Sequence, residues 1–532
     1  MNAFEYLAEQ CGGYVFPEKY VLREDGVFFR ESDGLICVTP AVPTAIFENL
    51  DTGAESVEIS FIKRGVLKKI LVERKAISNR ADILSLANRG LEVNCMNAGE
   101  MAKYFAQLIA LNQKSIPFKK SRAVLGWCGN RAFLPYDDEI CIDGNDVNGE
   151  ICRHVRPKGE LQAWLDYVGE LRRNSLPFRL CIAASFASPL IELVGENPFV
   201  FHLWGGTGSG KTVALMGAMS IWGDPAPGRM LRTMNMTPNS MMTTAATLKN
   251  IPFGGDELQT IKDNWSNYDR LVMQITEGIE RGRMKYDRVN ETRNWKCAFL
   301  FTGEEPCTKN DSGGGAKNRV IEIECREKLV GNGNEAANFF RDNYGTAGRR
   351  FVEALICMND EGGLGIDIPG LYKDYFAAVM KQCNTTQKQA GAMALILSAD
   401  LIASQLFWDA ADNIMPEDVR QWLKTNDDID IAENAYKYLC EAIAENVNSF
   451  DRYAPHVWGI LDKDKGKVFI NTKIARSVLE EAGYDINAVK HRWEERGYIK
   501  RDGSGKFRQI IRINGICTSC YCLVLPDNAL NV

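Results

Sequence analysis

The segment FHLWGGTGSGKT, residues 201–212, constrains the fold of this chain more than any other stretch. It fits the spacing G-x-x-x-x-G-K-[ST] through Gly205, Gly210, Lys211 and Thr212. A β-rich apolar run, PFVFHLW, precedes it, and VALMGAMSIWG follows with the apolar spacing of a buried helix. Strand, glycine loop and helix in succession are what phosphate binding needs. Glycines let backbone N–H groups curl around phosphate oxygens, and the helix N-terminus adds the positive end of its dipole. Gly205, Gly206, Thr207, Gly208, Ser209 and Gly210 would form the cradle for ATP. Lys211 would reach the β- and γ-phosphates, and the Thr212 hydroxyl would ligate Mg2+. The competing reading is a structural glycine turn that happens to hold a lysine.

Hydrolysis needs an acidic group for the metal and a residue that positions water. IPFGGDELQ places Asp256 and Glu257 after a short apolar segment: Asp256 for the Mg2+ shell, Glu257 for the attacking water. A second apolar run, CAFLF, ends in Thr302, a candidate sensor of the γ-phosphate, with Glu304 a weaker one. Its strand is expected between the loop strand and the acidic strand. SGGGAKNRVIEIEC then gives Arg319 just before a strand at the far end of such a sheet. From there an arginine can enter a neighbour's ATP site and stabilise charge developing on phosphate.

Length and composition bound the rest. A chain of 532 residues exceeds one hydrophobic core, so several domains are expected. No run reaches the ~18–20 apolar residues of a membrane span; the nearest, LCIAASFASPLIELVG, is interrupted by Pro189 and Glu192 and reads as a buried helix. The N-terminus lacks the basic flank of a signal peptide. Sixteen scattered cysteines fit reduced thiols and a cytoplasmic protein without membrane association. Cys517, Cys520 and Cys522 resemble half a zinc site, yet no second pair is near, so an apolar terminal strand is expected. A net charge of −6 argues against a generally basic nucleic-acid coat but leaves room for local basic surfaces.

LGW (125–127), the glycine loop, IWGDP (221–225), GGDELQ (254–259), FTGE (301–304) and YGTAG (344–348) together resemble the family called domain of unknown function 927. The similarity runs from roughly residue 15 to beyond 400. Members of that family look like AAA+ ATPases of phages, plasmids and mobile elements. Some resemble the self-loading replicative helicases of staphylococcal cassette elements, which are akin to minichromosome-maintenance helicases. The resemblance implies a ring, a homo-hexamer, with each site completed across subunits. AAA+ proteins often carry a second sensor arginine in the helical lid. QKQAGAMALILSADLIA offers only Lys388 there; Arg349 and Arg350 are possible substitutes, and the role stays unassigned.

The segment RGRMKYDRVNETRNWK (281–296) holds six basic and two acidic residues and reads as strand, Asn-Glu turn, strand. Helicases of the resembled type place a pore hairpin just before the sensor strand. On that reading Lys285, Arg288 and Arg293 would track a DNA backbone, with Arg281 and Arg283 at the hairpin base. Charge runs of this kind are otherwise solvated hairpins. Near the C-terminus, 469–513 reads as helix, turn, helix and a hairpin tipped by DGSGK, the pattern of a winged helix. Lys490, Arg492, Lys500, Arg501 and Lys506 would contact DNA, although winged helices also dock proteins.

The expected architecture is multidomain α/β. An α/β interaction or DNA-handling domain spans 1–115, and a P-loop AAA+-like ATPase core 116–330. A helical lid and connector follow over 331–450, then a winged helix over 451–532. The function expected is an ATP-dependent helicase or translocase on single-stranded or forked DNA in a phage or mobile element. An ATP-switched initiator that binds DNA without unwinding, or an ATPase remodelling proteins, are the other readings.

Overall fold

The computed structural model describes residues 2–129, 131–143, 148–261, 268–280, 284–285, 288–289, 292–309, 312–359, 366–408 and 413–526. At its centre lies a five-stranded sheet: β1 (Val200–Trp204), β2 (Leu231–Thr233), β3 (Phe253–Asp256), β4 (Phe299–Gly303) and β5 (Val320–Glu324). The strands run in the order β2-β3-β4-β1-β5, and every neighbouring pair is parallel. Parallel sheets are covered on both faces, and these strands are correspondingly apolar; all five residues of β4, FLFTG, are buried.

Helices Lys211–Ser220 and Leu176–Ala187 pack on β4, and Gln387–Phe407 packs on β5. Local signals start them: Ser175 caps Leu176–Ala187 with a proline in the first turn, and Thr386 caps Gln387–Phe407. Gln387–Phe407 corrects the expectation about apolar runs. Its 21 residues are long and apolar enough to cross a membrane, yet it is mostly buried inside the protein core. One hydrophobic cluster runs from Leu125 to Leu423 and takes in both sheet and helices. Its buried tryptophans each find an acceptor, Trp164 on Ser220 Oγ (2.8 Å), Trp222 on Ser185 Oγ (3.0 Å) and Trp295 on the Ile275 carbonyl (2.7 Å).

Before this core, strands Ala41–Asn49, Glu55–Lys63 and Val66–Glu73 form an antiparallel meander, and Phe118–Arg122 and Ile140–Ile142 extend it in parallel. Helix Ala98–Leu111 buries Met101, Tyr104, Phe105 and Leu108 in a separate cluster with these strands.

A third cluster holds the C-terminal unit, and it includes Ala432, Ala435, Tyr436 and Leu439 of helix Ile431–Glu445. That helix, expected in the connector, packs against Ile486–Glu495 because its apolar stripe meets Trp493; the indole donates to the Ala432 carbonyl at 2.6 Å. Helices Thr472–Glu481 and Ile486–Glu495 are followed by strands Ile499–Lys500, Arg508–Ile513 and Ile516–Val524. The hairpin is not tipped by DGSGK. Ile499–Lys500 and Arg508–Ile513 both pair with Ile516–Val524, and the reversal is Asn514–Gly515, with φ +48° and +82°. Asp502 draws the DGSGK segment into a compact loop by accepting from the backbone N–H of Ser504 and Lys506, both at 2.9 Å. Cys517, Cys520 and Cys522 lie on the last strand, the latter two buried.

Candidate active site

The carboxyl ends of β1, β3 and β4 meet at one edge of the sheet, where open α/β sheets bind ligands. There β1 turns into the glycine loop and helix Lys211–Ser220. Gly205, Gly208 and Gly210 adopt φ of +137°, +86° and +86°. At Gly210 a side chain would be strained in this left-handed conformation, and its Cβ would stand 3.3 Å from the Val330 nitrogen. Lys211 is 9% exposed. Its ammonium donates to the carbonyls of Gly205 (2.9 Å) and Gly206 (2.7 Å) and to Ser209 Oγ (3.1 Å), which uses all three protons within the loop.

Register carries the acidic group to the same place. Gly255 pairs with Phe301 and Leu203 with Thr302, so Asp256, Thr302 and the loop are neighbours. Asp256 Oδ1 accepts from Thr212 Oγ1 at 3.1 Å and also from Thr302 Oγ1. The Thr302 hydroxyl in turn accepts from the Glu257 backbone N–H at 3.3 Å. Glu257 sits at φ +61°, an uncommon conformation for a residue with a side chain, and its carboxylate is exposed. Glu304 accepts from Thr207 Oγ1 at 3.0 Å, and its N–H donates to Gln259 Oε1 at 3.3 Å. Lys211, Thr212, Asp256, Glu257, Thr302 and Glu304 are thus brought together around the loop. Buried ammonium, helix N-terminus and left-handed glycines together have the chemistry to hold an anion, and the Thr212–Asp256 oxygen pair beside them that to hold a hard divalent cation.

Three contributors were not singled out from sequence. Gln259 belongs to the GGDELQ motif, so the signal for it was present. His202, inside β1, is fully buried with Nε2 at 2.9 Å from the Glu305 carbonyl; burial pushes its pKa down and favours the neutral ring. The segment after β5 closes over the loop, with Cys325 N donating to the Trp204 carbonyl (2.7 Å) and Leu329 N to that of Ser209 (2.9 Å). It borders a cavity of about 790 Å3 that Trp204, Leu329, Gln421 and Trp422 help to line. Nothing in the local sequence pattern marks these contacts.

Arg319 is not part of this constellation. Its carbonyl accepts from Val200 N (3.0 Å), which puts it at the opposite end of β1 from the loop. Its guanidinium donates to the Gly315 carbonyl (2.7 Å) and touches Met273 Sδ (3.1 Å), and burial lowers its pKa. Lys388 lies close enough to Arg319 for that charge to depress its own pKa further, burial being the larger cause. Arg349 and Arg350 are both engaged by Glu353, at 3.0 and 3.6 Å.

Between β3 and β4 the chain inserts helix Tyr268–Thr276 and a small hairpin, Met284–Lys285 with Arg288–Val289. Lys285 pairs with Arg288, and the expected Asn-Glu turn lies outside the described residues. Arg281 and Arg283 lie outside the described residues. Arg293 is not on the hairpin strands but at their base, where it grips Glu280 with Nε (2.8 Å) and Nη2 (3.0 Å) and donates to Thr243 Oγ1. Ile279 and Asn294 bridge at the same level.

In the C-terminal unit, Arg492, Lys500 and Lys506 are exposed. Lys490 donates to Asn487 Oδ1 (2.9 Å). Arg501 is held by both oxygens of Glu494, at 2.5 and 2.7 Å, with its guanidinium over the Phe507 ring. Its charge is therefore largely spent within the unit. Among the described residues no group of three or more His, Cys, Asp or Glu is arranged to hold a metal ion.

A parallel α/β core with a glycine loop at its carboxyl edge, carrying a C-terminal helix-turn-helix unit, defines the class of protein. The model described as domain of unknown function (DUF927) matches residues 21–296, and the chain belongs to that family. A second model, the Cch helix turn helix domain, matches residues 430–528. Among solved structures, the one titled "SCCmec type IV Cch - active helicase" superposes with a TM-score of 0.71 at 19% identity, covering 97% of this chain and all of that one. The apo C-terminal region of NrS-1 aligns over 90% of this chain and 96% of its own at 9% identity, with a TM-score of 0.33. No curated protein matches the sequence.

Proposed function

We propose that this chain is a Mg2+-dependent ATPase of AAA+-like construction that moves along or unwinds DNA. The observation that carries the proposal is the single carboxylate oxygen of Asp256 shared by the hydroxyls of Thr212 and Thr302 beside the glycine loop. It ties the cradle, the metal-binding oxygens and the strand expected to sense phosphate into one network. The donor set fits Mg2+, which takes oxygen ligands; Thr212 and Asp256 would hold it. When bound, the ion neutralises charge on the phosphate oxygens.

The chain's own residues would act as follows. Lys211 exchanges its loop carbonyls for phosphate oxygens, a small movement because the ammonium is already inside the cradle. Glu257 orients the attacking water. Thr302, through the Glu257 N–H, fixes the carboxylate relative to Asp256. The cavity beside Trp204 and Trp422 gives the nucleoside end of ATP an aromatic, partly polar chamber. Arg319 cannot reach the loop of its own subunit, since the length of β1 separates them at ~3.3 Å per residue. A head-to-tail ring, expected to be a hexamer, would bring it to a neighbour's phosphate.

Because the hairpin is inserted between β3 and β4, shifts at Asp256 or Thr302 reach it through the strands that carry them. Lys285 and Arg288 would bear on the phosphates of a single strand. The C-terminal unit, read as a winged helix, would present Lys490, Arg492, Lys500 and Lys506 to duplex DNA. The solved relative is titled an active helicase; that activity, and a role in replicating a mobile element, belong here to the proposal. ATP turnover measured with and without single-stranded DNA tests it. DNA-stimulated turnover that Lys211→Ala abolishes supports the reading, and turnover indifferent to every DNA would overturn it.

A further inference from the structure

We infer that a cavity between the central core and the C-terminal unit binds a small polyphosphate, free or as the tail of a nucleotide, and that its occupancy opposes ATP binding through Lys424. The site itself needs no part of the ATP reading above; its effect on ATP rests on that reading.

The glycine run SGGGAK, which the loop chemistry leaves unused, makes the junction. Helix Gly314–Lys317 lies so close to Asn426–Ile429 that a Cβ at Gly314 would stand 2.8 Å from the Ile429 carbonyl. Only glycine allows the two backbones this approach. Beside the contact lies a cavity of about 400 Å3, within the roughly 300–1,000 Å3 of small-molecule sites. Helix Ile431–Glu445 turns Asn434, Lys437, Tyr438 and Glu441 toward it, at the i, i+3, i+4, i+7 spacing of one helix face.

Four lysines, Lys309, Lys317, Lys424 and Lys437, line this cavity against two carboxylates, Asp428 and Glu441. Among the described residues its lining therefore carries two more positive charges than negative ones. A concave surface with an excess of one sign concentrates counter-ions, and an ammonium acts on phosphate as a point charge. Two of the lysines are held by one fully buried side chain. Gln389 Nε2 donates to the Lys317 carbonyl at 2.9 Å, and Gln389 Oε1 accepts from the Lys424 N–H at 3.4 Å. Thr385 Oγ1 donates to the Lys424 carbonyl at 2.6 Å. Lys317 is only 7% exposed, so this is a built recess and not a solvated lysine patch. An anion of charge two or more that fits the cavity offsets its excess, and a di- or triphosphate meets both conditions.

Thr308 and Lys424 also line the larger cavity beside Trp204 and Trp422, so one wall serves both. Its centre is the buried Glu322, whose carboxylate accepts from Thr308 N at 2.7 Å and Thr308 Oγ1 at 2.8 Å. The Lys424 ammonium stands 3.7 Å from Glu322, beyond hydrogen-bonding distance, and balances its charge electrostatically. A phosphate among the lysines draws this ammonium away. The larger cavity then carries an uncompensated carboxylate, which disfavours the polyanion ATP beside it.

The test titrates the full chain carrying Lys211→Ala, which disables the loop, with inorganic tripolyphosphate and with ATP by calorimetry. Tripolyphosphate should bind, and adding Lys309→Ala/Lys437→Ala should weaken it roughly 100-fold, at about tenfold per charged contact. Both of those side chains are exposed, so thermal melts of the variants should match their parents. ATP binding at least as tight as tripolyphosphate, and equally sensitive to the double substitution, assigns the source to a nucleotide; weaker ATP binding assigns it to free polyphosphate. No binding of either probe, or binding that the double substitution leaves intact, overturns the site. Displacement of tripolyphosphate by single-stranded DNA would give the cavity to a nucleic-acid backbone and refute the inference. With Lys211 in place, tripolyphosphate should raise KM for ATP about fivefold more than it does in Lys309→Ala/Lys437→Ala, where only competition at the loop remains. An equal rise in the two proteins overturns the coupling. A wild type that turns over no ATP overturns the ATP reading, and the titration still decides the site.

Discussion

Thr302→Val removes one oxygen from the centre of the proposed site and almost nothing else. The substitution keeps the volume and β-branching of a side chain that is 1% exposed at the end of β4, so the core around it is preserved. Two hydrogen bonds disappear: the one Thr302 Oγ1 gives to Asp256 Oδ1, and the one it accepts from the Glu257 N–H at 3.3 Å. Asp256 retains Thr212 as a donor at 3.1 Å, so metal binding should persist. Glu257 loses the acceptor that fixes its backbone at φ +61°. The bond Glu257 loses joins a neutral amide to a neutral hydroxyl and contributes about 0.5–1.5 kcal/mol. If that energy is expressed only once Glu257 must orient water, kcat falls roughly 2- to 12-fold, at ~1.4 kcal/mol per factor of ten. Steady-state ATP hydrolysis gives the answer, with KM for ATP expected within about twofold of wild type because Lys211 and the Thr212–Asp256 bond are untouched. Thr302→Ser, which restores the oxygen, should recover most of the rate. A Thr302→Val enzyme with unchanged kcat and raised KM would refute the reasoning, since the hydroxyl would then be serving ground-state binding.

Asp400 lies between two buried guanidiniums, 2.9 Å from Arg172 Nη2 and 2.6 Å from Arg179 Nη2, and joins three helices of the main core. Asp400→Asn removes the negative charge that both buried guanidiniums share and should destabilise the fold by about 3–5 kcal/mol, read as a lowered denaturant midpoint; an unchanged midpoint would contradict the burial argument. Gly210→Ala forces a side chain into a left-handed position against Val330, at a cost of about 1–2 kcal/mol, and should abolish nucleotide binding with only a small fall in melting temperature. In the N-terminal unit, Lys103 and Lys19 hold the Glu100 carboxyl down to about 2. A depressed carboxylate stabilises the fold above its unfolded pKa of 4.5 and loses that contribution as pH falls toward 2. Glu100→Gln should therefore melt lower than wild type at neutral pH and converge with it in acid; parallel melting curves would exclude the linkage.

The geometry of the loop is legible in the sequence because its constraints are local. Gly205, Gly210 and Lys211 stand at fixed spacing on one turn, and Asp256 and Thr302 each follow an apolar run that can only be a buried strand. Their meeting depended on strand order, and the sheet does place β4 between β1 and β3. What sequence could not supply was long-range closure. Leu329 over Ser209 and the partnership of Arg293 with Glu280 join residues whose local patterns carry no mark of each other. DGSGK is a good turn sequence, but register decided the reversal: Ile513 pairs with Ile516. DGSGK is instead taken up by Asp502 as a loop beside an uninterrupted strand line. Helical patterning places Ile431–Glu445 in the lid and connector, whereas its apolar stripe packs in the C-terminal cluster with Trp493.

Unwinding of a forked DNA substrate tests the central claim most directly, using wild type, Lys211→Ala and Lys285→Ala/Arg288→Ala. Wild type should separate the strands only with ATP and Mg2+. Lys211→Ala should do neither chemistry nor unwinding, and the hairpin variant should hydrolyse ATP without opening the fork. A wild-type protein that turns over ATP yet opens no duplex would contradict the account.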